Sequence, residues 1–71
     1  MVKKYSQLYL EARRSFMEQE EEQFASQLAR SLLSYVSGMT NEQIVAQREM
    51  YASEAVCVII ALAHTLPMYD A

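Results

Sequence analysis

Seventy-one residues make at most one small domain, since domains typically run to roughly 100–150 residues and a single core is thin below about 80. One Gly and one Pro among abundant helix formers point to an all-α chain, and nine acidic against six basic residues exclude the basic footprint of a nucleic-acid binder. The single cysteine, Cys57, excludes an internal disulfide and with it the stapled scaffold of a small secreted protein, so a reducing cytoplasm fits best.

The apolar fraction is 52%, yet a chain this short buries only about 60% of the surface that it exposes when unfolded. Much of that apolar surface is expected to stay open unless a partner covers it. At the start of the chain, Lys3 and Lys4 lead into Tyr5 to Leu10, which contains Ser6 and Gln7 and runs into Glu11, so no signal-peptide apolar region is expected.

The first element is a short helix over residues 3–14, with Tyr5, Leu8, Tyr9, Ala12 and Phe16 on one face. That face is rotated roughly 160° from the stripe that follows it. Ser15-Phe16-Met17-Glu18 reads as a capping box, which favours a break at Ser15, the alternative being one long helix with two different faces. Glu18 to Gln23 packs four carboxylates into six residues. Neighbours on a helix point different ways, so this run reads as a solvated face, and its acids suit the positive end of a helix dipole. Glu21 is the odd one, because a helix starting at Ser15 places it on the apolar stripe.

The first long helix is expected over 16–37, with Met17, Phe24, Ala25, Leu28, Ala29, Leu32, Tyr35 and Val36 inward. Gly38 then suits the left-handed residue that ends a helix. Thr40 is a good N-cap, Gln43 completes a capping box, and Met39 and Ile44 are spaced as a hydrophobic staple. A second long helix is expected over 41–66, with Ile44, Tyr51, Ala55, Ile59, Leu62 and Leu66 among its inward residues in a stripe about 140° wide. A connection of two to five residues makes the two long helices antiparallel neighbours. The expected architecture is therefore all-α, an antiparallel two-helix hairpin with a short N-terminal helical segment, in a single domain over 1–71. The hairpin core is expected to hold Phe24, Leu28, Leu32, Tyr35, Ile44, Tyr51, Ala55, Ile59, Leu62 and Leu66.

Ala55 to Ala63 is a run of nine apolar residues. It is too short to span a membrane, which takes roughly 20 apolar residues, and Glu54, His64 and Thr65 bound it. A two-helix hairpin covers one side of such a segment only, leaving Val58, Ile60 and Cys57 open. Together with Tyr5, Leu8 and Tyr9 these are the candidate partner-binding residues. Cys57 and His64 lie two turns apart, about 10 Å, too far for one zinc ion. An apolar setting makes Cys57 a structural thiol rather than a nucleophile, and His64 near a helix C-terminus complements the dipole, with Pro67 stopping the helix. With no pocket-forming polar constellation in view, no catalytic residue, metal or cofactor is expected.

The second half resembles the small co-chaperones of type III secretion needle subunits, the YscE, PscE and EscE group, over about 30 residues. The likeness rests on Gly38 closing one helix, Glu42 and Gln43, then Gln47, Arg48 and Glu49 leading into Ala52, Glu54, Ile59 and Ile60 of an apolar final helix. It departs at Ile44, where an aromatic residue is expected. The resemblance implies a non-enzymatic protein of the bacterial cytoplasm that binds a second chaperone built from helical (TPR-like) repeats. That pair keeps the needle subunit soluble and unpolymerised before export, and the co-chaperone alone forms a weak homodimer at most. A different reading of the same open surface is a homodimeric four-helix bundle, a regulatory protein of plasmid or phage type.

Overall fold

The computed structural model describes residues 2–65, which form four helices: α1 Tyr5–Phe16, α2 Glu22–Ser37, α3 Asn41–Ala46 and α4 Glu54–Thr65. The fold is all-α. Among the described residues no helix is long and apolar enough to cross a membrane.

The largest helix pair is α1 with α2, so the principal hairpin is built from the N-terminal helix rather than from the two long helices expected on either side of Gly38. Its antiparallel register is read from its side chains. Arg13 meets Glu22 and donates from Nε to Ser26 Oγ at 3.0 Å, Tyr9 lies under Arg30, and Leu8 shares a cluster with Leu33. Numbers fall along α1 as they rise along α2. Leu8, Ala12 and Phe16 recur every fourth residue, which stacks them on one face of α1. They meet Ala25, Ala29 and Leu33, again spaced by four, on α2. Ala12, Ala25 and Ala29 are fully buried, and their small side chains let the helices approach closely where Phe16 fills the end of the seam.

The break between the first two helices lies later than Ser15. Ser15 is in the last turn of α1, six residues before the N-cap of α2. The Phe16 carbonyl accepts from the Gln19 and Glu20 amides at 3.0 and 2.9 Å, closing the turn. Glu21 becomes the N-cap residue of α2 in an extended conformation, φ −65°, ψ 157°. The acidic run thus occupies the connection instead of entering the apolar stripe, and only Glu22 remains in the first turn of α2.

At the other end of α2 the predicted punctuation is in place. Gly38 adopts the left-handed conformation, φ 74°, ψ 13°, and its N–H donates to the Ser34 carbonyl at 2.9 Å. The Gln43 N–H donates to Thr40 Oγ1 at 3.1 Å, and the Thr40 N–H donates to Gln43 Oε1 at 2.9 Å, so each residue's orphan backbone donor is satisfied by the other's side chain. Met39 packs against the cluster that contains Ile44, completing the staple.

The helix expected over 41–66 is two helices. α3 stops after six residues at Gln47, and α4 begins afresh behind Ser53, whose Oγ accepts from the Val56 N–H at 3.3 Å. The physical reason is at the N-terminus of α1. The Tyr5 and Ser6 amides, orphans of that helix end, donate to the carbonyls of Met50 and Arg48 at 3.1 and 3.0 Å. In a continuous helix those carbonyls accept from amides four residues on and are closed to α1. The Ala52 amide returns the contact by donating to the Lys3 carbonyl at 2.9 Å, and Lys4 and Tyr51 form an isolated antiparallel bridge.

Among the described residues two clusters form the core. Leu8, Leu33, Ile44, Ala52, Cys57 and Ile60 pack where α1, α2, α3 and α4 converge, and Ala12, Phe16, Ala25 and Ala29 continue along the α1/α2 seam. Half-buried Tyr9 and Leu32 touch both and join them.

Candidate functional site

Breaking the second long helix lets α4 take an orientation that a straight helix could not. α4 packs on α1 as well as α2, and the face it buries carries Cys57 and Ile60, 7% and 0% exposed. These two candidate contact residues are therefore core, and so is Leu8 at 2%. The expectation that they lie open is corrected: it counted two packed helices, whereas α1 supplies a third and covers them. Tyr5 and Tyr9 are half-buried against the core, and Val58 remains exposed.

The residues expected inside α4 go the other way. Ile59 and Leu62 are exposed, as is Ala55, and they join Val58 on one side of the helix. At 100° per residue Ala55, Val58, Ile59 and Leu62 fall within an arc of about 100°, at the i, i+3, i+4, i+7 spacing of a helix-packing stripe. The three larger members are each 50–56% exposed. Leu66, assigned to the same core, lies outside the described residues.

Elsewhere the expected hairpin core divides. Ile44 is buried, Leu28 and Leu32 are half-buried, and Phe24, Tyr35 and Tyr51 are exposed. The stripe on α2 is centred on Ala25, Ala29 and Leu33 rather than on the Phe24 to Tyr35 line. Leu33, 1% exposed, is a core residue that the sequence reading left out. Phe24 and Tyr35 stand about 16 Å apart along α2 with Gln27 and Ser31 between them on that side, so they are isolated apolar residues rather than a patch. Contiguity distinguishes the α4 stripe, and a contiguous exposed apolar surface marks an interaction site.

Cys57 has structural surroundings. Its Sγ accepts from the Lys3 N–H at 3.4 Å and lies 4.0 Å from the carbonyls of Lys3 and Ala52, which ties the N-terminal segment to the start of α4. An ion pair from Lys3 Nζ to Glu11 at 2.7 Å and another from Lys4 Nζ to Glu49 at 3.2 Å hold the same segment from outside. Both are solvent-exposed and contribute little each. The signal that could have revealed the true face of α4 was Ser53-Glu54 directly before the apolar run, a helix start as good as Thr40. No protein-family model, curated protein or solved structure matches the chain.

Proposed function

We propose that this chain is a non-enzymatic binding protein that acts as a co-chaperone in type III secretion. Its α4 stripe docks on a helical-repeat (TPR-like) chaperone in the bacterial cytoplasm, and the pair holds the needle subunit soluble before export. The observation that supports the reading is the exposed row Ala55, Val58, Ile59 and Leu62, an apolar helix face ready to lie in a groove between the helices of a partner. A repeat protein ends in an uncovered apolar face, and a small helical domain with a surplus apolar stripe is a suitable cap for it. The partner proposed is the one that the resemblance of the second half implies, and the stripe is the surface proposed to bind it.

The test is capture of the tagged chain from the soluble fraction of its native host, followed by mass spectrometry of what accompanies it. The expected companions are a small helical-repeat protein and a short helical subunit that polymerises when released. Replacing both Val58 and Ile59 by Asp is expected to abolish that recovery while helicity stays unchanged. Recovery of the chain alone at twice its own mass overturns the proposal. It favours the homodimeric regulator, for which the stripe spacing is equally suitable and whose melting temperature rises with protein concentration.

A further inference from the structure

A recess lies between α1, α2 and α3, away from the α4 stripe. It has a volume of about 290 Å³ and is lined by Tyr5 and Tyr9 of α1, Arg30 and Leu33 of α2, Ile44 of α3, and Arg48 just beyond α3. Leu33 and Ile44 are buried and close its floor, the tyrosines are half-buried, and both arginines are exposed at its rim. The Arg30 guanidinium stands over the Tyr9 ring, 6.0 Å from the centroid, and Arg48 Nη1 donates to the Val45 carbonyl at 2.9 Å. Each cation is thus held at the recess with donors to spare, since a guanidinium carries five N–H groups.

The charge arrangement is uneven in an informative way. Lys3, Lys4 and Arg13 are matched to Glu11, Glu49 and Glu22, whereas Arg14, Arg30 and Arg48 make no ion pair among the described residues, and of these three Arg30 and Arg48 share the recess. Glu21 and Glu22 border the groove on the far side of Arg30, where Arg13 engages Glu22 and neither carboxylate forms an ion pair with Arg30. Two guanidinium groups without carboxylates therefore flank an apolar floor in a chain whose net charge is −3. Planar guanidinium forks match carboxylates in bidentate pairs. The volume lies at the floor of the roughly 300–1,000 Å³ range of small-molecule pockets, room for one anchoring side chain of a protein rather than for a whole cofactor.

We propose that this recess recognises an acidic-hydrophobic segment of another protein: one apolar side chain enters between Tyr5, Tyr9, Leu33 and Ile44, and neighbouring glutamates or aspartates pair with Arg30 and Arg48. The site stands on α1, α2 and α3, so it does not depend on what the α4 stripe binds. Its rim charges set orientation and encounter rate, and its floor supplies the anchor. The negative net charge of the chain acts over longer distances, where salt screens it, while the paired contacts act inside a Debye length of about 8 Å at physiological salt.

The test titrates the full isotope-labelled chain with three probes, following amide signals by NMR. These are the acetylated, amidated peptide Glu-Glu-Leu-Phe-Glu-Glu, its counterpart with glutamine in place of every glutamate, and sodium octanoate. The acidic peptide is expected to shift Ser6, Leu33 and Ile44 saturably and to bind at least about tenfold tighter than the glutamine peptide, with the preference shrinking as salt is added. In a variant carrying Arg30→Gln and Arg48→Gln that preference is expected to vanish with the circular dichroism unchanged. Equal affinity of the two peptides overturns the proposal, as does the absence of saturable shifts at a few millimolar peptide. Octanoate binding without peptide binding overturns it in favour of a small amphiphile. Should the double variant unfold, the comparison of the two peptides on the unaltered chain decides.

Discussion

The α1/α2 pair and α4 solve the same burial problem in opposite ways. Each helix of the pair has one apolar face, the faces interlock through Ala12, Ala25 and Ala29, and Gln7, Glu11 and Arg14 or Gln23, Gln27 and Arg30 point outward. α4 is apolar almost all round. One side, Cys57 and Ile60, completes the core, and the other, Val58, Ile59 and Leu62, is presented to solvent. The pair shows that this chain can make helices with mostly polar exteriors, on which Leu10, Phe24 and Tyr35 are scattered exceptions. The apolar exterior of α4 is therefore a property of that one helix and not of a chain too short to find polar residues for its surface.

The sharpest way to break this contrast is to place a charge on each side of α4 at adjacent positions. Ile60→Asp buries a carboxylate with no partner where the present side chain is wholly enclosed. Its penalty is several kcal/mol, comparable to the roughly 3–5 kcal/mol that so small a core supplies. The variant is expected to lose its cooperative thermal transition and most of its far-ultraviolet dichroism at 25 °C. A cooperative melt within a few degrees of the parent would show that the α4 inner face is not core at all.

How much of this contrast was legible in the residues depends on the range of the forces involved. Gly38, Thr40 and Gln43 were readable because a left-handed cap and a capping box are local devices, complete within four residues. The faces of α1 were readable because Leu8, Ala12 and Phe16 repeat cleanly. The break at 47–53 was less so: what secures it is non-local, the Tyr5 and Ser6 amides seeking carbonyls more than forty residues away. Without that break, the stripe from Ile44 through Tyr51 continues along one helix and turns Ile59 and Leu62 inward and Ile60 outward. A helix apolar on all sides gives periodicity no means of correcting such an error. The Arg30 and Arg48 recess was hidden for the same reason, since it joins residues from three elements.

A smaller effect tests whether the turn between the halves is as local as its signals imply. Gly38→Ala places a side chain at φ 74°, and nothing lies within 4 Å of where its Cβ would stand. The loss is then purely conformational, roughly 1–2 kcal/mol for an L-residue in the left-handed region. Urea unfolding is expected to show that loss as a lower midpoint with unchanged slope. A changed slope would mean instead that α3 and α4 unfold separately from the α1/α2 pair, so the same experiment also asks whether the two halves are one cooperative unit.

The smallest expected change is the other half of the α4 comparison. Ile59→Asp exchanges a half-exposed side chain for a charge that stays hydrated, and surface substitutions of this kind usually alter stability by less than about 0.5 kcal/mol. The isolated chain is therefore expected to melt within a few degrees of the parent, in contrast to its neighbour Ile60→Asp. If the isolated chain already self-associates through the stripe, the outcome differs in a recognisable manner. The parent then melts higher as its concentration rises, Ile59→Asp abolishes that dependence, and at high dilution the two proteins converge. A concentration-independent melt for both leaves the stripe open in the free protein, which is the state that a surface held for a different partner requires.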